Sequence, residues 1–298
     1  ANTAGSSVNL SAQTEGFTIT GFTGIDVIRG GKGNDIISSD GAYDVLFGGE
    51  GDDTLTGGAD NDELTGGAGA DTFNIDAGED SIADLSTTDI LKVSSGAKVN
   101  ANNISAFVAT DATENSGTAN LYAGSGNATI DVRLSSAGAY NIFSGSGTDT
   151  LKGSTQNDTI TILNAGEADN DSIDGHTGDD ILQLSSGTHT ITTDGKLSGI
   201  ETIKAHKDGS VTDFSNQTEN LIFIGNDGND TLKGGTGNDQ LTGGSGADTF
   251  SITGGTDIIT DLQTTDIIIN ANGATANASN ISSSVSYTHL TLPTSSQV

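Results

Sequence analysis

The stretch from Gly30 to Asn74 reads GGKGNDIIS, SDGAYDVLF, GGEGDDTLT, GGADNDELT and GGAGADTFN, five consecutive nine-residue units (nonads) in one unbroken register. The first places of each nonad favour Gly, Asn and Asp, and the eighth place is always apolar. The sixth place is always Asp, at Asp35, Asp44, Asp53, Asp62 and Asp71. Gly21–Arg29 (GFTGIDVIR) fits the same frame as a degenerate unit.

A nine-residue period predicts one turn and one short strand. Glycine accepts the positive φ angles that tight turns need. Three residues around one buried apolar place suit a strand, whose neighbouring side chains point to the opposite face. Two nonads then form one coil of a flattened solenoid, in which every second turn stacks on the same edge. We therefore predict an all-β fold, a parallel β-roll or β-solenoid, with few helices because no long 3.6-residue apolar period occurs.

The Asp row predicts a bound cation. Carboxylates stacked at the strand spacing of about 5 Å repel one another unless a cation lies between them. Ca²⁺ accepts six to eight such oxygens at about 2.3–2.6 Å. We expect ions to be shared by Asp35 with Asp53, Asp53 with Asp71, and Asp44 with Asp62, helped by the carbonyls of Gly31, Gly33, Gly49 and Gly51. The alternative is a Gly-rich solenoid without metal, which leaves the Asp row without a counter-ion.

This pattern resembles the repeats-in-toxin (RTX) family of calcium-binding β-rolls. The resemblance covers the nonad blocks and implies several Ca²⁺ ions held by the turns. It also implies export from Gram-negative bacteria by a type I system, with folding once the chain meets calcium outside the cell. Ala1–Leu10 lacks the charged start and apolar core of an N-terminal signal peptide. The expected location is therefore extracellular or on the bacterial cell surface.

A segment resembling the one that closes an RTX β-roll follows the first block and occurs twice. Residues 66–91 match residues 243–268, at an offset of 177, in about two positions of three. The match continues from KVNANNIS (98–105) to TANASNIS (275–282), so the chain contains a long internal repeat. In the first copy Asp80 and Asp84 are either further ligands or solvated carboxylates at strand edges.

The third block, Gly225–Ser251, reads GNDGNDTLK, GGTGNDQLT and GGSGADTFS. Asp230 is expected to pair with Asp248 across one coil. The remaining candidate ligands of the first and third blocks are Gly67, Gly69, Asp71, Gly228, Gly235, Gly237, Asp239, Gly244, Gly246, Asp257 and Asp261.

The second block, residues 144–183, is less regular. Its sixth places are Asp149, Asp158, Asp171 and Asp180, and an insertion at Ile162–Ala165 shifts the frame. Ser and Gln replace some of the glycines, which leaves the number of ions there open.

These patterns predict seven segments. They are an N-terminal strand segment (1–20), a first β-roll with capping strands (21–91), a metal-free β region (92–143), the second block (144–183), another β region (184–224), a third β-roll that repeats 48–108 (225–285), and a tail (286–298). The tail, SYTHLTLPTSSQV, holds the only proline and resembles a translated sequencing-adapter sequence. We expect it to be non-native and the natural chain to be longer.

Charge and missing motifs narrow the function. Forty acidic against ten basic residues give a net charge of −30, which repels nucleic acid and anionic membranes and attracts divalent cations. The chain has no Cys, no H-E-x-x-H, no G-x-S-x-G and no phosphate loop. The four histidines, at His176, His189, His206 and His289, are scattered. We therefore expect no enzyme activity, no nucleic-acid partner and no membrane insertion.

We expect a calcium-binding structural protein of the bacterial cell surface or extracellular matrix (S-layer, fibre or adhesin-like) that self-associates into an array. The alternative is the secretion and folding region of a type I-secreted protease, lipase or alginate epimerase. A third idea, ice binding through Thr54–Thr56 and Thr159–Thr161, is weakened because equivalent nonad places carry other residues, such as Ile36 and Ser38 or Glu63 and Thr65.

Overall fold

The computed structural model describes residues 5–270 and 273–279, which form short strands joined by turns and contain no helix. The chain divides into unit 1 (Ala1–Thr159 with His176–Gly178) and unit 2 (Ile160–Gly175 with Asp179–Val298). This division falls inside the second nonad block. The tail 286–298, including His289, lies outside the described residues. Within the described part of the chain no helix could span a membrane.

Unit 1 consists of short strands. They are β1 (Ser7–Asn9), β2 (Thr18–Thr20), β3 (Val27–Arg29), β4 (Ile36–Ser38), β5 (Val45–Glu50), β6 (Thr54–Thr56), β7 (Glu63–Ala68), β8 (Thr72–Ile75), β9 (Glu79–Ile82), β10 (Ile90–Val93), β11 (Lys98–Ile104), β12 (Ala106–Val108), β13 (Glu114–Asn115), β14 (Thr118–Ala123), β15 (Thr129–Asp131), β16 (Tyr140–Phe143) and β17 (Thr150–Lys152).

The strands of unit 1 alternate between parallel sheets. One sheet runs β1-β3-β5-β7-β9-β11-β14-β16, a second runs β2-β4-β6-β8-β10-β13, and a third contains β12-β15-β17. Within the first block the register advances by two nonads per coil, as Ile28 pairs with Leu46 and Ile37 pairs with Leu55. Two nonads therefore make one coil, and the predicted parallel β-solenoid is confirmed.

The eighth place of each nonad forms the core. The side chains of Ile37, Leu46, Leu55, Leu64 and Phe73 are all at most 1% exposed. Their neighbours at the seventh and ninth places point outward, as alternation along a strand requires. Each coil thus contributes one apolar side chain from each of two strands, and it must stack on others to bury them.

Glycine is needed where stacked turns touch. Gly49 and Gly51 have φ angles of 129° and 114°, which side chains with a Cβ rarely adopt. A Cβ on Gly49 would also lie 2.1 Å from the carbonyl oxygen of Gly31 in the preceding coil. The glycines therefore permit both the turn conformation and the close stacking of coils.

Between Lys98 and Phe143 the coils have longer, unequal periods and no Asp row. Asn100, Asn120 and Asn141 lie in register on three neighbouring strands. The Asn141 amide donates to Asn120 and the Asn120 amide donates to Asn100, each at 2.8 Å. The Asn100 amide in turn donates to Glu79 at 2.8 Å. This asparagine ladder joins coils that have no carboxylate column, in the region that we predicted to be metal-free β-structure.

Unit 2 repeats the design. Its strands are β18 (Thr159–Ile162, of which Thr159 belongs to unit 1), β19 (Ser172–Asp174), β20 (Ile181–Leu184), β21 (Gly187–Thr190), β22 (Leu197–Ser198), β23 (Thr202–Lys204), β24 (Ser210–Asp213), β25 (Ile222–Ile224), β26 (Thr231–Lys233), β27 (Gln240–Thr242), β28 (Thr249–Ile252), β29 (Thr256–Ile259), β30 (Ile267–Asn270) and β31 (Thr275–Ala278). Parallel sheets run β18-β20-β23-β25-β27-β29-β31 and β21-β24-β26-β28-β30, and β19 pairs with β22.

The threonines that suggested ice binding, such as Thr54 and Thr56, lie on a sheet face whose composition is more regular than a comparison of consecutive nonads indicates. Because nonads alternate between sheets, Glu63 on β7 does not belong to the face that carries Thr54 and Thr56 on β6. That face carries Thr18 and Thr20, Ile36 and Ser38, Thr54 and Thr56, and Thr72 and Asn74. Ile36, 53% exposed, and Asn74 still interrupt the hydroxyl array.

Candidate metal sites in the turns

The sixth-place carboxylates of unit 1 form two columns along the edges of the coils. Every member is at most 2% exposed. One column contains Asp26, Asp44, Asp62 and Asp80, and the other contains Asp35, Asp53, Asp71 and Asp89. Such burial of closely spaced acids is costly without a compensating charge.

The first carboxylate oxygen of each Asp links two coils. The backbone N–H of Asp35 donates to Oδ1 of Asp53 at 2.7 Å, and that of Asp53 donates to Oδ1 of Asp71 at 2.9 Å. The N–H of Asp44 donates to Oδ1 of Asp62 at 2.8 Å. The structure thus brings together the three pairs expected to share ions. The same bond joins Asp230 to Asp248 at 2.9 Å.

The second carboxylate oxygen decides whether a cation fits. At several of these carboxylates Oδ2 is buried and accepts no hydrogen bond, namely at Asp53, Asp62, Asp80, Asp230, Asp239, Asp248 and Asp257. A buried anionic oxygen without a donor is expensive, and a hard divalent cation is the partner that such oxygens prefer. The residues present therefore fit Ca²⁺.

Burial also raises the pKa values of these carboxyls. It raises the pKa of Asp53 and Asp80 to about 7, and the pKa of Asp62, Asp71, Asp230 and Asp257 to about 6. Repulsion from the carboxylates of neighbouring coils adds to this effect, as Asp71 and Asp35 do at Asp53. A metal-free column is thus driven to take up protons, which shows how strongly the site favours positive charge.

The ends of the columns are closed by the chain itself. Oδ2 of Asp26 accepts the Phe22 N–H at 2.6 Å, and Oδ2 of Asp35 accepts the Gly31 N–H at 2.7 Å. At the other end Oδ2 of Asp89 accepts the Ser86 N–H at 2.7 Å. These three carboxylates have donors for both oxygens, unlike Asp53, Asp62 and Asp80.

Asp84 and Asp261 act as caps in the same way in both units. The two oxygens of Asp84 accept the N–H groups of Gly66 and Gly67, at 3.0 and 2.8 Å. The two oxygens of Asp261 accept those of Gly243 and Gly244, at 2.9 and 2.7 Å. The internal repeat therefore preserves geometry as well as sequence. Asp80 and Asp257, by contrast, lie inside the columns and are fully buried.

The first-place glycines keep the space beside the sixth-place carboxylate open. A Cβ on Gly48 would lie 2.2 Å from Oδ2 of Asp53, and one on Gly243 would lie 2.3 Å from Oδ2 of Asp248. A side chain there would fill the cradle in which a cation would contact the carboxylate.

Carbonyl oxygens of the preceding coil lie close to most of the predicted glycine ligands. At seven of them a Cβ would lie 1.7–2.1 Å from a carbonyl oxygen of the preceding coil, namely Gly49, Gly67, Gly69, Gly235, Gly237, Gly244 and Gly246. Gly51 and Gly228 have positive φ angles. A Cβ on Gly51 would lie 2.8 Å from the carbonyl oxygen of Gly33 in the preceding coil. The Gly31 carbonyl already accepts the Glu50 N–H at 2.9 Å. Coordination by these carbonyls stays a prediction.

The second block has a different environment. Asp149 accepts the N–H groups of Ala128 and Gly145, at 2.8 and 3.1 Å. Asp158 accepts the Tyr140 N–H at 2.6 Å and the Ser154 hydroxyl at 3.0 Å. Asp171 and Asp180 are buried in unit 2, where Glu201 accepts the Asp180 N–H at 2.7 Å. Glu201 thus takes the place of the next sixth-place Asp.

Sequence reasoning missed three further features. The nonad frame continues through Asp84–Lys92 and puts Asp89 in a sixth place, and Asp266 is its equivalent in the third block. The fifth-place side chains form a second ladder of hydrogen bonds. Here the side chain of the earlier coil accepts from the later coil, as Asn34 accepts the Asp52 N–H at 2.9 Å, whereas in the Asp columns the side chain of the later coil accepts. Counting the register further would have found both Asp residues, whereas the ladder direction requires the structure.

No three Asp, Glu or His side chains converge on one point among residues 5–270 and 273–279. A calcium ion between stacked turns would instead be held by column carboxylates together with backbone carbonyls. The stacked turns offer that combination.

Comparison with known families gives an independent result. The sequence profile of the RTX calcium-binding nonapeptide repeat matches residues 20–55, 47–82, 143–161, 165–188 and 224–259. These ranges include parts of all three nonad blocks. A search of curated proteins found no match.

Proposed function

The chain is an RTX calcium-binding repeat protein, and from that premise we propose that it is a structural module of a bacterial cell surface or extracellular matrix, folded by calcium. The observation that carries the proposal is the row of buried Oδ2 atoms without hydrogen bonds at Asp53, Asp62 and Asp80, repeated at Asp230, Asp248 and Asp257. A protein that used these six carboxylates only as hydrogen-bond acceptors would leave one of the two oxygens of each unsatisfied.

The chain's own groups prepare the sites. Backbone N–H donors fix one oxygen of each carboxylate, so that the other is held in a set position between two coils. First-place glycines keep that position free of side chains. Bound calcium would supply the positive charge that lets ionised carboxylates stack at the strand spacing. Folding and binding are then linked, and stability rises with calcium concentration.

A structural role agrees with the surroundings of the histidines. His189 is fully buried, and its Nε2 lies 2.9 Å from the Ser185 carbonyl oxygen. His206 lies 3.4 Å from the exposed carboxylate of Asp208. The Ser185 hydroxyl also lies 3.4 Å from Nε2 of His189, but Nδ1 of this buried ring has no hydrogen-bond partner, so no acid orients the imidazole as a general base. We propose that this segment is not an enzyme.

The net charge of −30 supports an extracellular setting. Without calcium the chain repels itself and resists folding, as suits a polypeptide exported unfolded. The long internal repeat, in which residues 66–91 recur as 243–268, supports tandem assembly and self-association into a fibre, lattice or array. We therefore propose type I secretion and assembly outside the cell.

The test is a calcium titration of the purified chain followed by circular dichroism and negative-stain imaging, with magnesium as the control ion. A β signal that increases with calcium, together with ordered arrays, supports the proposal. A β signal that keeps its full size after exhaustive chelation contradicts calcium-linked folding. Calcium-dependent folding into dispersed monomers instead favours the folding region of a secreted enzyme.

A further inference from the structure

One turn of the first block carries serine where the neighbouring turns carry glycine. Ser39 is the first residue of its nonad, and its hydroxyl donates to Oδ2 of Asp44. The serine is buried, at 9% exposure. A related arrangement occurs in the second block, where the hydroxyl and the backbone N–H of Ser154 both donate to Oδ2 of Asp158. In the first block the hydroxyl is thus the feature that distinguishes one turn from the next.

The neighbouring coil provides a matched comparison. Asp44 and Asp62 lie in the same column and differ by one coil, and each accepts a backbone N–H from the preceding coil at Oδ1. The first-place residue is Ser39 for Asp44 and Gly57 for Asp62. Oδ2 of Asp62 is buried without a hydrogen bond, whereas Oδ2 of Asp44 is satisfied by the serine.

A hydroxyl donor and a cation compete for the same oxygen. The O–H directs its positive end at Oδ2 and occupies one of the lone pairs of that oxygen, which weakens the negative potential that would attract a metal ion. It also fills part of the cradle that glycine leaves open. The serine therefore removes the unsatisfied acceptor that makes the other turns fit calcium.

We propose that Ser39 excludes calcium from its own turn, which closes by a side-chain hydrogen bond in place of a metal ion. The inference rests on the proposed calcium binding and specifies which turns take part. The hydrogen bond between Ser39 and Asp44 would therefore persist at calcium concentrations too low to keep ions bound in the turns that begin with glycine.

The experiment measures bound calcium per chain by equilibrium dialysis and elemental analysis. Ser39→Gly is expected to gain one ion relative to the wild type. Ser125→Gly is the control, since Ser125 lies in an exposed turn and its replacement is expected to leave the ion count unchanged. The reverse exchange, Gly57→Ser, is expected to lose one ion.

The outcomes distinguish calcium exclusion by Ser39 from calcium binding by the protein as a whole. If the wild type binds calcium but Ser39→Gly gains no ion, or Gly57→Ser keeps its ion, the exclusion by serine is wrong while the proposed function stands. A loss of calcium in Ser39→Gly would make the hydroxyl a ligand and would overturn the inference directly. If the wild type binds no calcium, the proposed function itself is wrong, and the inference falls with it. Circular dichroism of each variant at saturating calcium checks its fold, because a Cβ on Gly57 would lie 2.3 Å from Oδ2 of Asp62 and a misfolded Gly57→Ser would also lose calcium.

Discussion

Asp35 and Asp53 lie one coil apart, and the backbone N–H of Asp35 donates a 2.7 Å hydrogen bond to Oδ1 of Asp53. Oδ2 of Asp53 is buried and accepts no hydrogen bond. The two oxygens of this carboxylate thus differ, since the first joins two coils by a hydrogen bond and the second has no donor.

Asp53→Asn should weaken calcium binding and stabilise the calcium-free protein. The amide oxygen can still accept the Asp35 N–H, but the buried negative charge is gone. We expect calcium affinity at this site to fall at least about tenfold, or about 1.4 kcal/mol. Isothermal calorimetry and thermal melting with and without chelator measure the two effects.

Asp26→Asn is the control, because both oxygens of Asp26 already accept backbone N–H groups. This substitution should destabilise the protein with or without calcium.

The calcium-free protein should become more stable as the pH falls from 8 to 5. Burial raises the pKa of Asp53 and Asp80 to about 7 and that of Asp62 and Asp230 to about 6, above the value of about 4 in an unfolded chain. Protons therefore bind the folded state more tightly, and the stabilisation is lost as the pH rises through 6 and 7. Saturating calcium should reverse the trend, because protons then compete with the ion. Urea unfolding across this pH range checks both arms.

His189 acts against that trend. Burial lowers its pKa, so the unfolded chain takes up this proton first as the pH falls below about 6.5. Protonation of His189 therefore destabilises the fold, and His189→Gln should remove this contribution. If the calcium-free protein loses stability between pH 8 and 5 even with His189→Gln, the carboxylate columns do not have the raised pKa values assigned to them.

Leu55→Ala should destabilise the first block. Leu55 is 0% exposed and pairs in register with Ile37 and Phe73 of the adjacent coils. Removal of a buried leucine typically costs about 2–5 kcal/mol. Urea unfolding at saturating calcium measures the loss. Thr54→Ala on the same strand, partly exposed, is the matched control and should change stability by about 0.5 kcal/mol or less.

Asn120→Ala should destabilise the asparagine ladder equally with and without calcium. Asn120 is 7% exposed, donates to Asn100 and accepts from Asn141. Its removal leaves two buried or half-buried partners unsatisfied, at a cost of about 1–3 kcal/mol. Hydrogen exchange should show faster exchange in residues 98–143 under both conditions. A loss of protection only in chelator would contradict the view that this ladder replaces calcium.

The sequence alone was sufficient to predict that two nonads form one coil of a parallel β-solenoid. An apolar residue at the eighth place and Asp at the sixth, repeated in every nonad, require strands and turns in alternation, and the pairing of Ile37 with Leu55 confirms that one coil takes two nonads. The same pattern identified the pairs Asp35 with Asp53 and Asp44 with Asp62. It could not give the ladder of Asn100, Asn120 and Asn141, because the spacing between these residues is unequal and offers no fixed period to follow.

Within the regular nonad blocks, sequence by itself determined which residues face each other in neighbouring coils, since a strict period fixes the register of stacked strands. Only the tertiary structure decided which carboxylate oxygens lack a donor: Oδ2 of Asp62 has none, while Oδ2 of Asp44 has Ser39 and that of Asp35 has Gly31. The reason is that a hydrogen bond depends on the position and direction of a single donor within about 3 Å. The nine-residue pattern fixes the position of each Asp in the coil, whereas the conformation of the folded turn decides whether an N–H or O–H group reaches its second oxygen.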